Sequence, residues 1–393
     1  MSAPAAGSSN PAAVLPLLAL AAFATGCGMR LLDPLLPTVA ADLRVSVAEA
    51  TIVIAAFTLP YGFCQILLGP LGDRLGKLRV MVGGLLLYGL AMAACALAGS
   101  LGHLVGLRAV TGALGGAIVP LAMAWIGDNV PYAERQATLG RFLTGMVMAQ
   151  LLTGPLAGIV GQAFGWRAVF LLVGAQAALT ALAIILTLRT RLWRAEPAGA
   201  GSGFARYITL LQRPAGRRLL GVAFVNGSLL WGGALPFVGS YLIQGYHLEQ
   251  WQAGLIVSGF GLGAFCYTRL ARTLLLRFGE AKVMFAGGLM LAAGIAGIGL
   301  APHWWVVAAL QAMLGLAFFM FHGALQARST ELMPEARATS VSAFVMALFL
   351  GQALGAILFG ALMARLGYGG AFVAGGCAMA ALTVVTRVVL AER

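Results

Sequence analysis

The chain has 393 residues, of which 61% are apolar and only 9% charged, and its formal net charge is +13. So little polar surface cannot cover a water-soluble globule of this size, whereas lipid requires none, so the composition excludes a soluble enzyme and points to a polytopic membrane protein. The basic balance would also suit a nucleic-acid binder, but the Lys and Arg residues sit in short segments between apolar runs. There, topology and anionic lipid headgroups account for them, and nucleic acid is excluded as a partner.

A helix needs about 20 apolar residues to cross the hydrocarbon layer, and these runs are continuous rather than alternating, so they read as helices and not barrel strands. Twelve spans are predicted, at 12–36, 48–70, 79–99, 103–128, 137–163, 167–189, 218–244, 250–275, 282–301, 304–328, 338–364 and 368–388. The segment before the first, Met1 to Ala13, has no Lys or Arg, so the first run reads as a retained span rather than a secretory signal. Cys27, Cys64, Cys95, Cys266 and Cys377 all fall within spans as single thiols, with no disulfide framework, no metal-ligand spacing and no cofactor expected.

Of the 25 Lys and Arg residues, all but Arg30, Arg44, Arg108, Arg167 and Arg365 lie after even-numbered spans or at the C-terminus. The positive-inside rule then puts both termini in the cytoplasm, as expected for a multi-pass protein of a bacterial-type inner membrane.

The longest polar interruption follows span six, where Glu196 to Gly203 is linker-like and Arg191, Arg194, Arg206, Arg213 and Arg217 flank it. It divides the chain into a bundle at 1–190, a linker at 191–217 and a second bundle at 218–393. Phe204, Tyr207, Leu210 and Leu211 are spaced for a short helix lying on the membrane surface.

The second bundle repeats the first. At an offset of about 203 residues Gly76 meets Gly279, Met81 meets Met284, Gly112 meets Gly315 and Pro131 meets Pro334. At about 202, Arg135 meets Arg337, Gln150 meets Gln352, Gly158 meets Gly360, Gly165 meets Gly367 and Phe170 meets Phe372. The expected fold is all-α, twelve transmembrane helices in two pseudo-symmetric six-helix bundles, an arrangement in which one bundle rocks against the other around a site at mid-depth.

Between spans two and three runs Gly69-Pro-Leu-Gly-Asp-Arg-Leu-Gly-Lys-Leu-Arg79, a tight charged turn. In Gly69, Leu71, Gly72, Asp73, Arg74, Gly76 and Lys77 it resembles the loop signature of the major facilitator superfamily, and the resemblance extends over all twelve spans. The family implies that Asp73 faces the positive N-terminal end of span eleven near Thr339 to Val341, latching the halves on the cytoplasmic side, and that Lys77 pairs with Asp128. The position matching Asp73 in the repeat is Leu276, so the latch is one-sided.

Two partial motifs resemble the drug and proton antiporter branch: Arg108-Ala-Val-Thr-Gly112 in span four, and Gly154-Pro155-Leu-Ala-Gly158 in span five, whose glycines and proline permit a bend or close packing.

An ionisable group inside the membrane costs roughly 2.5 to 3.5 kcal/mol on insertion scales, so each is a functional candidate. Arg30 and Asp33 in span one, Arg108 in span four and His322 in span ten are such groups. Arg30 and Asp33 share a helix face, and Arg108 lies at similar depth, giving a possible cluster of two guanidiniums around one carboxylate. Asp33 is the first candidate to exchange a proton, with Arg108 modulating it and His322 as a relay, its alternative being a bond to a neighbouring carbonyl. Tyr61, Gln65, Gln150, Asn226, Trp231, Tyr267 and Gln352 complete the substrate-cavity list.

These features describe a secondary carrier rather than an enzyme: a monomer working by alternating access and exporting a small organic molecule in exchange for protons. No Walker A sequence is present. The alternatives are a proton-coupled importer of an organic anion or zwitterion on the same fold, which surplus charge at Arg30 and Arg108 would suit, and a non-transporting receptor.

Overall fold

The computed structural model describes residues 11–188, 205–333 and 337–390. Its elements are α1 (Pro11–Arg30), α2 (Leu36–Asp42), α3 (Val47–Ala50), α4 (Ile52–Leu75), α5 (Lys77–Cys95), α6 (Leu101–Gly115), α7 (Ile118–Asn129), α8 (Tyr132–Phe164), α9 (Trp166–Leu188), α10 (Ala205–Gln212) and α11 (Pro214–Asn226). A π-helical turn (Gly227–Ala234) then leads into α12 (Leu235–Tyr246), α13 (Gln250–Phe278), α14 (Glu280–Leu300), α15 (Trp304–Ser329) and α16 (Arg337–Val389).

Among the described residues, 10 helices are long and apolar enough to cross a membrane. The count departs from the predicted spans at two places. Val14–Arg30 is a shorter apolar helix. The proline ring at position 34 crowds the carbonyl four residues back and supplies no N–H, so α1 stops at Arg30. The chain then turns, with the Asp33 N–H donating to the Arg30 carbonyl at 3.1 Å, before α2 begins. At the other end, Thr339–Val389 forms one stretch of 51 residues. At about 1.5 Å per residue that is more than twice the hydrocarbon thickness, and Gly367, with φ of 70°, interrupts it.

Backbone geometry explains why the glycine positions repeat. Among the described residues the glycines with positive φ are Gly76 (96°), Gly165 (82°), Gly279 (78°) and Gly367 (70°), which form two pairs across the repeat at tight turns where an L side chain would be strained. Helix packing repeats as well. A methyl group on Gly112 would lie 2.0 Å from the Phe57 carbonyl oxygen, and one on Gly315 would lie 1.9 Å from that of Phe260. Gly145 meets the Ala19 carbonyl at 2.0 Å as Gly351 meets that of Phe224 at 1.8 Å. Gly174 meets Gly89 and Gly376 meets Ala292, both at 2.7 Å. In lipid, where apolar side chains gain nothing by leaving solvent, such close backbone approach is what holds helices together.

One end of the bundle is basic: Lys77 of α5 pairs with Asp128 of α7 there, and Arg328 of α15 pairs with Glu280 of α14 at 2.6 Å. Each brace ties corresponding helices of its half, with the charges reversed. Also at this end, α10 buries Leu210 and exposes Ile208 and Leu211, as the expected surface helix would. Phe204 and the linker before it lie outside the described residues.

The halves meet along α8 and α13, α4 and α16, and α1 to α2 against the π-turn and α12. On α8, Gly154 faces Gly254 backbone to backbone, a methyl on either falling 2.4 Å or 2.1 Å from the other's carbonyl oxygen, and Gly158 abuts the Gln250 carbonyl at 2.4 Å. Close packing across the seam is therefore what this motif supplies, and α8 continues through Pro155 as one helix. Towards the end opposite the basic one, Gln162 donates to Glu249 at 2.8 Å and Gln250 to Thr38. Towards the basic end the pattern is different: from Phe265 to Phe278 no residue of α13 is buried. Among the described residues, the halves are joined at the far end and at mid-depth, and the basic end of α13 stands unpacked.

Candidate functional site

The break in α1 positions the charged pair. Arg30 Nη2 lies 2.8 Å from Asp33 Oδ2, and both residues are buried, 6% and 2% exposed. This is an ion contact without hydrogen-bond alignment, for Asp33 Oδ2 has no hydrogen-bond partner among the described residues. Burying both charges is offset only partly by a misaligned pair, so the arrangement is strained electrostatically. Arg30 also reaches across the seam, its guanidinium carbon 5.4 Å from the centroid of Trp231. The Asp33 carbonyl meets Gly239 of α12, where a methyl would lie 2.2 Å away.

Arg108 does not join this cluster, which corrects the expectation of two guanidiniums around one carboxylate. Its Nη2 donates to the Gly28 carbonyl at 3.0 Å, and its guanidinium lies 4.2 Å from the Phe57 ring centroid. At 1% exposure it is enclosed. Beside it, Gly28 leaves room for Tyr88, whose hydroxyl would lie 1.9 Å from a methyl there and donates to the Ala24 carbonyl at 3.1 Å. Asp33 lies beyond the end of α1, whereas Gly28 is within it; depth alone did not distinguish them.

In the second half, Asn226 ends α11 and the π-turn begins at the next residue. A π-turn inserts an extra residue per turn and re-aims the side chains around it. Asn226 Nδ2 lies 3.4 Å from His322 Nδ1, so His322 pairs with an amide rather than a backbone carbonyl. The imidazole is stacked on Phe318 at 4.6 Å and tilted against Phe344 at 5.3 Å. Trp231, on the turn, is edge-on to Phe260 at 5.7 Å and to Phe318 at 5.2 Å, and its buried Nε1 has no partner among the described residues. Sequence reading missed Gln311 of α15, which is 0% exposed and has no partner for either side-chain polar atom among the described residues. The signal was present: at the repeat offset of about 203 residues, Gln311 corresponds to Arg108.

The other expected cavity residues spread along the seam. Tyr61 is buried between Phe57 and, across the halves, Phe349, whose ring centroid is 4.6 Å away. Gln150 is half-buried with Oε1 unpartnered, and the Gln352 carbonyl abuts Gly232 of the π-turn. Gln65 is half-buried, and Tyr267 stacks on Phe319 at 6.2 Å in the unpacked stretch of α13. At the gate, α4 continues as helix through Gly69 to Leu75, so the expected turn over 69–79 narrows to Gly76, which supplies the positive φ; Gly72 is buried against Leu121, Arg74 is exposed, and Arg79 donates to the Leu75 carbonyl at 3.3 Å. The side chains of Gly69 and Asp73 lie outside the described residues, and with them the latch.

Comparison with known proteins agrees with this geometry. The Major Facilitator Superfamily model matches residues 18–272 and 220–393. A probable transporter of Streptomyces coelicolor is 29% identical over 374 residues, 91% of this chain and 83% of its own. An uncharacterised MFS-type transporter of Bacillus subtilis is 25% identical over 344 residues, 86% of each chain. The multidrug export protein EmrB of Escherichia coli is 26% identical over 179 residues, 46% of this chain and 35% of its own. Among solved structures, a bacterial homologue of the human lysosomal transporter Spinster, inward-facing and unoccupied, superposes with a TM-score of 0.76 at 21% identity, covering 98% of this chain and 96% of that one. A D-xylose-proton symporter does so with 0.77 at 16% identity, covering 96% and 97%. The repeated bundle and the matching family model lead to one conclusion: this chain belongs to the Major Facilitator Superfamily, as a multi-pass membrane transporter.

Proposed function

We propose that the chain is a proton-coupled exporter of a small organic molecule, working as a monomer by alternating access in a bacterial-type inner membrane with both termini cytoplasmic. Its bundles would be residues 1–190 and 218–393, with 191–217 as the cytoplasmic linker. The carrying observation is the pair of buried charges at the break in α1, set against a seam joined at the far end and at mid-depth, with α13 unpacked at the basic end. With the basic end cytoplasmic, this is an inward-open arrangement, and the segment from Gly69 to Arg79 would close that side in the other state through Asp73.

Export by exchange draws support from the Gly154-Pro155 seam and from the similarity to EmrB. Asp33 is the group that would exchange the proton: its carboxylate is held by a misaligned contact, so a modest shift of Arg30 changes what it costs to ionise. His322 and Arg108 would act around it, Arg108 as a fixed charge. The importer of an organic anion loses support, because Arg108 is enclosed and Arg30 is already engaged by Asp33 and Trp231.

Inverted membrane vesicles with an imposed proton gradient test the reading. A transported solute should collapse the gradient in wild type and not in Asp33→Asn. Equal collapse in both excludes Asp33 as the coupling group, and solute-driven proton movement in the same direction as the solute excludes exchange.

A further inference from the structure

Among the described residues, the buried Arg and Asp side chains all lie in the first half. The first half holds Arg30, Asp33 and Arg108, with Arg108 sealed against Gly28 and Phe57. The second half presents neutral groups. Asn226 Oδ1, Trp231 Nε1, and both Gln311 Nε2 and Oε1 are buried and have no hydrogen-bond partner among the described residues. Trp231 meets the aromatic pair of Phe260 and Phe318 directly, edge-on to both. Asn226 reaches it through His322, which stacks on Phe318, and the Gln311 Cβ packs beside Gly259, the residue that precedes Phe260.

The repeat shows that this is a divergence of one ancestral position. At the common offset of about 203 residues, Gly28 corresponds to Trp231, Phe57 to Phe260 and Arg108 to Gln311. Where the first half seals a guanidinium onto a carbonyl, the second carries an indole and an amide with their hydrogen-bonding capacity unused. A buried amide left unsatisfied at both ends carries an uncompensated desolvation cost, which a folding role alone would not retain.

We infer that Trp231, Gln311 and Asn226, around the Phe260 and Phe318 rings, form the substrate subsite, and that the substrate is an uncharged, hydroxyl-rich solute with an apolar ring face. Hydroxyls serve as donor and acceptor at once, matching a set that contains unpaired examples of both. A ring face suits the indole, whose other occupant is Arg30 at 5.4 Å. The inference rests on the exchange reading and gives it a coupling step. A solute stacking on Trp231 displaces the Arg30 guanidinium towards Asp33, aligns their contact, and so favours the ionised carboxylate, which releases its proton.

The test uses the purified full chain in detergent and titrates D-ribose, D-xylose, D-glucose, uridine and adenosine, with benzoate and tetraphenylphosphonium as charged controls. Binding is followed by calorimetry, and proton release by an indicator dye in weak buffer. At least one uncharged probe is expected to bind, with affinity falling at least tenfold in both Trp231→Phe and Gln311→Leu. Gln311→Leu removes two unpartnered polar atoms, so it should melt no lower than wild type; a lower melting point means the amide has a structural partner and overturns the assignment. It is also overturned if no uncharged probe binds, if only a charged control binds, or if the two variants bind as wild type does. Binding that depends on Trp231 and Gln311 but releases no proton would leave the subsite standing and sink the exchange mechanism instead.

Discussion

Replacing Gly254 with alanine tests whether the glycine seam holds the far end of the molecule closed. The new methyl would lie 2.1 Å from the Gly154 carbonyl oxygen and 2.6 Å from its carbon. Ordinary contact needs about 3.5 Å, and both obstructing atoms belong to helix backbone, so relief requires α8 and α13 to separate by roughly 1 Å or more. Overpacking of this kind costs about 1–3 kcal/mol. Here the cost falls on the joined state, because the clash is across the halves, so the equilibrium between joined and parted far ends should shift about 5- to 150-fold. Spin labels at Ala163, in the last turn of α8, and His303, just before α15, sit at the far end of opposite halves and report the change as a longer distance population in double electron–electron resonance. Gly158→Ala, which would press on the Gln250 carbonyl at 2.4 Å, should act in the same direction. If the distance distribution of Gly254→Ala matches wild type while the protein stays folded, the seam does not gate that end.

The repeat makes a second expectation: Gly112→Ala and Gly315→Ala, whose methyls would lie 2.0 Å and 1.9 Å from equivalent carbonyls, should lower the thermal midpoint by similar amounts, each costing about 1–3 kcal/mol. Tolerance of one and not the other would contradict equivalent packing in the two halves. A third concerns pH. The Arg167 guanidinium, bonded to Asp42 at 2.6 Å, holds that carboxyl below its ordinary range. Its stabilisation is present above the ordinary aspartate value of about 3.9 and is lost as pH falls through the lowered folded-state value. Both side chains are well exposed, so Asp42→Asn should cost less than about 1 kcal/mol at neutral pH and flatten the acid limb of the melting curve. An unchanged acid limb would remove the pair from the stability account.

Much of the architecture was legible because lipid leaves few solutions. Run length located the spans, and paired glycines located the turns, since Gly76, Gly165, Gly279 and Gly367 occupy conformations other residues resist. The stop in α1 was legible too, for Pro34 and Pro37 are its signals, but hydropathy continued through them and masked it. The π-turn was not, because an extra residue per turn alters backbone register without altering composition. The choice of Arg108 between Asp33 and the Gly28 carbonyl depends on helix rotation and on where α1 ends, which neither depth nor spacing supplies. Gln311 was hidden by inspecting charges first, since an uncharged amide in an apolar run draws attention only when laid over its repeat partner.

The sealed arginine has an electrical consequence. Arg108 has no carboxylate in contact among the described residues, and it is enclosed at 1% exposure and bonded to Gly28, so its charge would travel with the first half. When the open side changes, the transmembrane voltage falls across a different part of the protein, and Arg108 passes through a fraction of it. A full crossing corresponds to about 2.3 kcal/mol per 100 mV, so even a carrier of uncharged cargo would reorient at a rate set partly by membrane potential. A fixed guanidinium thereby makes the empty carrier's return step responsive to the energised state of the cell.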